Sequence, residues 1–258
     1  MRILFLMLDS EEGPWGKLFE EGAEQTWVHD LDMSDVYLRY VSTGNDYISK
    51  CFHPKLLNNR YNSKIWPLIE TYNFMNRFKI DAHIIQKKLR IVTSERWSSI
   101  NVKTLVALRY CLENFDFDFI IRGNATAFFN VKSLKKHLAV STSKYFGPIH
   151  KNKPFASGWA IGLTKDAALA LVRDFSLRDL AYFDDEAFGR VLAPVFACDP
   201  LPYLEISAAE DIEKYSPEFL AEIPAIRTKL LSNGCRLDAE LQRKLYEYIN
   251  GIKIEGRK

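Results

Sequence analysis

Apolar residues recur along this chain with two spacings, and the points where the spacing changes mark its elements. Ile3 to Leu8 is a continuous apolar run with the length of a buried strand. Val36-Tyr37-Leu38-Arg39-Tyr40-Val41 is a second strand, closed by the turn Ser42-Thr43-Gly44-Asn45-Asp46. The intervening residues are enough for a crossover, which makes the two strands parallel. Within them, residues 9 to 26 read as a glycine-containing loop with one short helix from Lys17 to Glu24. Residues 47 to 80, with His53-Pro54, Asn58-Asn59 and Trp66-Pro67, predict a long irregular excursion carrying a short helix from Ile65 to Phe74. Ile84-Ile85 and Leu89 to Val92 are short strand material around Lys87-Lys88.

The spacing then turns helical. Val102, Leu105, Val106, Leu108, Cys111 and Leu112 form one stripe, with Ser98 or Ser99 to cap its start and Asn114 at its end. Phe115 to Ile121 follows directly as a strand buried on both faces. It runs out into Arg122-Gly123-Asn124-Ala125-Thr126, which reads as a polar turn. In open α/β sheets the crevice beyond the carboxyl ends of the strands binds ligands, so this turn is the first place to look for chemistry.

Farther along, Ser133 to Ala139 is a short basic helix, Tyr145-Phe146-Gly147 a strand, and Phe155 to Leu163 a strand with small residues on its approach. Thr164 caps a helix whose buried face is Ala167, Ala168, Leu171, Val172 and Phe175, and Asp184 caps another through Val191. Ser216-Pro217 starts a helix that stops before Pro224, and Leu241, Leu245, Tyr248 and Ile249 define a last one ending at Gly251. Strands and helices in alternation predict one α/β domain over residues 1–258. Its central sheet is expected to be mostly parallel and Rossmann-like, flanked by helices, with a helical tail from about residue 214.

Composition narrows the class. The 258 residues bury a full core, and no linker, repeat or low-complexity tract divides them. Basic and acidic residues nearly cancel, 35 against 33, which removes the electrostatic case for nucleic acid as a partner. Cys51, Cys111, Cys198 and Cys235 show no paired spacing, against a zinc site or a disulfide framework and in favour of a reduced compartment. The opening apolar run is too short to span a bilayer and lacks the small residues of a cleavage site, so a cytoplasmic protein is expected.

Four segments, in order, carry a resemblance. They are Glu95-Arg96-Trp97 leading to Lys103-Thr104; Phe117-Asp118-Phe119-Ile120-Ile121-Arg122-Gly123-Asn124-Ala125-Thr126; Phe155-Ala156-Ser157-Gly158; and Asp184-Asp185-Glu186-Ala187-Phe188-Gly189. Across about residues 90 to 192 this order is similar to that of the β-1,3-glycosyltransferase family that includes the fringe enzymes. Its members show an acidic-aromatic approach to a Lys-Thr helix, a strand ending in an aspartate cluster, an aromatic-x-Ser-Gly strand and an acidic pair four residues before a glycine. The order and spacing carry the resemblance; no single motif is specific.

The resemblance implies a GT-A type fold and inverting transfer of a sugar from a nucleotide donor, expected to be a UDP-sugar, to a glycan or lipid-linked acceptor. Family members neutralise the leaving diphosphate with a divalent cation held by the aspartate cluster. Here Asn124, Ala125 and Thr126 stand in its place, leaving at most a weak site for Mn2+ or Mg2+ at Asn124 and Thr126. Arg122, Lys103, Lys151 and Lys153 are the candidate cations to replace the ion. Asp185 matches the second acid of the pair, which implies the role of base toward the acceptor hydroxyl. Asp184 is its neighbour, and both acids can also be read as helix caps. Ser157, Gly158 and Trp159 would lie beside the sugar, with Trp159 open to a plain core reading. His150 reads either as a phosphate contact or as a surface residue. Asn124-Ala125-Thr126 also spells a glycosylation sequon, which carries no meaning in the cytoplasm.

Two rivals stand beside this reading. One is a relative that keeps the fold and binds nucleotide or carbohydrate without turnover, favoured by the missing aspartates. The other is an unrelated α/β nucleotide-binding enzyme, which lacks a glycine-rich phosphate loop to support it. The basic, amphipathic last helix either completes the core, the simpler reading, or rests on a membrane surface as a peripheral contact.

Overall fold

The computed structural model describes residues 1–11, 13–43, 66–93, 99–149, 153–232 and 235–254. In chain order its first half contains β1 (Ile3–Leu8), α1 (Trp15–Glu21), β2 (Val36–Ser42), α2 (Trp66–Met75), β3 (Ala82–Ile85), β4 (Lys88–Ile91), α3 (Ile100–Asn114), β5 (Phe119–Asn124) and β6 (Ala127–Phe129). The second half contains α4 (Val131–Val140), β7 (Tyr145–Gly147), β8 (Ala160–Thr164), α5 (Lys165–Asp174), α6 (Asp184–Leu192), β9 (Cys198–Pro200), β10 (Tyr203–Ile206), α7 (Pro217–Glu222), β11 (Ala225–Thr228) and α8 (Asp238–Asn250). Ser98, His150, Lys151, Asn152 and most of the predicted excursion of 47 to 80 lie outside the described residues.

The central sheet has eight strands in the order β3-β4-β2-β1-β5-β8-β7-β9. It is mixed: the β4-β2, β2-β1, β1-β5 and β7-β9 pairs are parallel, while β3-β4, β5-β8 and β8-β7 are antiparallel. The expected parallel β1-β2 pair is present, Leu4 opposite Val36. The antiparallel half arises because β8 returns beside β5 instead of crossing over, with Gly123 opposite Ala160. A smaller sheet, β10-β11-β6, covers one side of the large one.

Two predicted boundaries move, each because a partner strand sets them. The strand expected at residues 115–121 is β5, Phe119–Asn124. Its register on β1 runs from Ile3 opposite Phe119 to Leu8 opposite Asn124, so β5 is paired only where β1 exists. Phe115 to Asp118 have no strand to pair with there, and Asp116 instead bonds the Arg2 side chain at 2.5 Å. Arg122, Gly123 and Asn124, read as a turn, are therefore strand residues. Likewise the strand expected at 155–163 is β8, Ala160–Thr164. Residues before it curl back, Ser157 N donating to Pro148 O at 2.8 Å and Ala160 N to Ser157 O at 3.1 Å.

Helix α3 buries the predicted stripe, with Val102, Leu105, Val106, Leu108 and Cys111 at 0–1% exposure and Leu112 half-buried. Thr164 caps α5 through Ala167 N at 3.4 Å, and Ser216 caps α7 through Phe219 N at 3.2 Å. Asp184 is not the cap of α6: Phe183 holds that position and Asp184 is the first helical residue. Helix α8 ends at Gly251, whose φ of 63° lies in the left-handed region that glycine adopts without a Cβ penalty. Its Leu241 and Leu245 are fully buried against the small sheet and α1, so its apolar face is part of the core. Among the described residues no helix is long and apolar enough to cross a membrane.

Candidate functional site

A cleft of about 410 Å³ opens beyond the carboxyl ends of β1 and β5. β1 has β2 on one side and β5 on the other, so the chain reverses its direction of travel across the sheet at this point. Side chains at two adjacent strand ends then diverge from a gap that no crossover fills, and ligands bind in such gaps. The predicted residues Lys103, Arg122, Asn124, Ser157, Gly158, Trp159, Asp184 and Asp185 all line this cleft. They come from α3, β5, the 157–159 curl and the first turn of α6.

Thr126 does not line it. Its backbone N and its Oγ1 both donate to Asn124 Oδ1, at 3.0 and 2.8 Å, closing a local turn that leaves Thr126 at 5% exposure. This decides whether the degenerate motif fits a metal. The amide oxygen that would have to serve as a donor is already held by two hydrogen bonds, so Asn124 and Thr126 do not fit a hard cation. Among the described residues no group of three or more His, Cys, Asp or Glu is placed to hold one.

Arg122 is 2% exposed, and each of its three nitrogens is committed to protein. Nε donates to Tyr40 Oη at 3.1 Å, Nη1 to the Gly158 carbonyl and Nη2 to Asp184 Oδ2. Burial disfavours its charge, but Asp184, Tyr40 and Asp185 outweigh that and hold its pKa above the ordinary arginine value. The residue is a clamp joining β5, β2, the 157–159 curl and α6. Lys103 is equally buried and donates from Nζ to the Asp9 carbonyl at 3.2 Å. Lys153 lies with its Nζ 5.3 Å from the centre of the Phe155 ring, away from the cleft lining.

Among the described residues three carboxylates line the cleft, and their partners separate their chemistry. Asp9 is fully buried and bonded to Arg39 at 2.7 and 2.9 Å; burial pushes its pKa up and Arg39 pulls it back in part. Asp184 is bonded to Arg122. Asp185 has no cationic side chain bonded to it among the described residues. Its Oδ1 accepts from Glu186 N at 2.9 Å and its Oδ2 accepts a long bond from Gly158 N at 3.4 Å. Two such bonds leave part of the carboxylate's acceptor capacity unused.

The glycine four residues after Asp185 has a packing reason. A Cβ on Gly189 would lie 2.3 Å from Phe155 Cβ, so only glycine lets α6 approach the segment that carries Gly158. Trp159 is 1% exposed and packs edge-on to Tyr203 with ring centres 6.0 Å apart, so it is core and cleft wall at once.

Sequence reasoning missed Asp9, Ser10, Trp15 and Arg227 in the lining, and Tyr40 behind it. Asp9 had a signal, as the first polar residue after β1. Trp15 and Arg227 had none, because α1 and β11 meet the cleft only through tertiary packing. No protein-family model matches the chain, and no curated protein matches it either.

Proposed function

We propose that this chain is an inverting glycosyltransferase of GT-A type that moves a sugar from a nucleotide donor, expected to be a UDP-sugar, onto a glycan or lipid-linked acceptor. The observation that carries the reading is the state of Asp185. It is the cleft carboxylate bonded to backbone N–H groups alone among the described residues, whereas Asp9 and Asp184 are each tied to an arginine. An inverting displacement needs one carboxylate that can accept the proton of the attacking hydroxyl, within hydrogen-bond reach and not held by a cation. Asp185 takes that role. Attack by the acceptor oxygen forms the new glycosidic bond as the bond to the diphosphate breaks, and the hydroxyl proton goes to Asp185. Arg122 is the positioning residue that fixes Asp184 and the Gly158 carbonyl beside it.

The second reading, a binder without turnover, is favoured by one observation, the Asn124 oxygen closed on Thr126 where relatives place metal-holding carboxylates. Transfer and hydrolysis of a panel of nucleotide sugars, with added manganese and with chelator, separate the two. Turnover of at least one donor that persists in chelator is expected. Absence of turnover for every donor under both conditions would leave the binder.

A further inference from the structure

The proposed reaction releases a diphosphate whose charge must meet a cation. Among the described residues three cationic side chains line the cleft: Lys103, Arg122 and Arg227. They are unequally able to do this. Arg122 and Lys103 are 2% and 1% exposed, and withdrawing the Arg122 fork would strand Asp184 in a part-buried site. Arg227 differs in burial and in partners. Its side chain is 23% exposed and pairs with Glu205 at 3.2 Å, itself 43% exposed. Its Nε is buried and has no hydrogen-bond partner among the described residues. An ion pair open to water on the Glu205 side is weakened by salt, so a phosphate can compete with Glu205 for the half-buried Arg227. The guanidinium fork also matches two phosphate oxygens, which an ammonium does not.

Its placement is fixed by backbone. On β11, Arg227 stands opposite Ala127 of β6, and its neighbour Thr228 donates from N to the Thr126 carbonyl at 2.8 Å. The small sheet is thus tied to the turn at the tip of β5, which places Arg227 in the cleft lining from the face opposite α6.

Resting on the reading above, we infer that Arg227 is the cation that binds the donor's diphosphate, entering from the small sheet, while Arg122 holds the site together without binding it. Glu205 occupies Arg227 in the empty protein and releases it to the phosphates.

The test is calorimetric binding of UDP, GDP, ADP, inorganic pyrophosphate and uridine to the unaltered protein and to Arg227→Ala, Arg227→Lys and Glu205→Gln. Arg227→Ala is expected to weaken the diphosphate that binds, and pyrophosphate, by about 10- to 100-fold, the size of a lost charge-assisted hydrogen bond pair. Uridine binding and the unfolding temperature stay unchanged, the salt dependence of diphosphate binding falls, and Arg227→Lys lies between. Glu205→Gln binds diphosphate at least as tightly as the unaltered protein, an outcome that does not depend on the arginine variants folding. Unchanged diphosphate affinity in folded Arg227→Ala overturns the inference and leaves the glycosyltransferase reading intact. Pyrophosphate binding that needs Arg227, with no nucleotide bound, upholds the anion site and removes the nucleotide-sugar reading. An unaltered protein that binds neither overturns both.

Discussion

The two faces of the central sheet are buried by different means. On one face Leu4 and Leu6 of β1 pack with the aliphatic and alanine stripes of α3 and α5 and with Ala187, Phe188 and Leu192 of α6. On the other, Ile3, Phe5 and Met7 pack with α1, α4, α8 and the small sheet. A ring cluster sits there: Trp27 contacts Phe5, Tyr37 and Phe129 with centres 5.2, 5.8 and 5.1 Å apart. Helices α3, α5 and α6 support the first face, and Asp185, the proposed base, sits in the first turn of α6. The second face, covered by α1, α4, α8 and the small sheet, contributes Trp15 and Arg227 to the same cleft. Positioned chemistry comes from one side and the opposing wall from the other.

That division can be broken experimentally. The largest effect is expected from Asp185→Asn on the helical side. If Asp185 is the base, transfer falls by about 10²- to 10⁴-fold with donor binding retained, the usual contribution of a general base. A folded variant with undiminished transfer removes it from the mechanism.

Next comes the clamp. Arg122→Met leaves Asp184, 14% exposed, without its cation, and should cost about 3–5 kcal/mol in denaturant unfolding. Adding Asp184→Leu should recover much of that loss, since no charge is then stranded. A double variant no more stable than the single one would mean that the pair's role lies elsewhere. On the aromatic side, Trp27→Ala removes a fully buried ring and should cost a comparable 3–5 kcal/mol or so. Its loss should lower stability with Asp185-dependent chemistry retained in the folded fraction. Were turnover per folded molecule to drop as for Asp185→Asn, the assignment of chemistry to one side would fail.

The smallest effect sharpens the comparison most. Gly189→Ala drives a methyl into Phe155 and should cost about 1–3 kcal/mol by overpacking. It should also raise α6 off the Gly158 segment, lowering transfer more than donor binding. Unchanged transfer would show that the Asp185–Gly158 approach is not needed.

The cleft was half legible for the same reason that the faces differ. Lys103, Asp184 and Asp185 lie at the starts of helices whose apolar stripes announce them, and Arg122 and Asn124 lie at the end of an apolar strand. Local pattern finds such positions. The closing of Asn124 on Thr126 is local, a side-chain turn two residues long that asparagine favours. Local pattern could not find that Arg122 is consumed by Tyr40, Gly158 and Asp184, because those bonds join residues up to 82 positions apart. Arg227 was silent for a further reason: on a four-residue strand in the middle of a small sheet, alternation is too brief to show a face.

By itself the sequence determined the α/β class, the parallel β1-β2 start, the buried stripes of α3 and α5, the caps of α5 and α7 and the stop of α8, since each follows from spacing or from a single residue's preference. Tertiary structure alone decided the ends of β5, because a strand is a strand only where a partner offers hydrogen bonds. It decided the mixed sheet, because β8 pairs with whichever edge it packs against. It also decided which cleft charges are already neutralised, because a charge is cancelled by what lies beside it in space, and chain order does not record that.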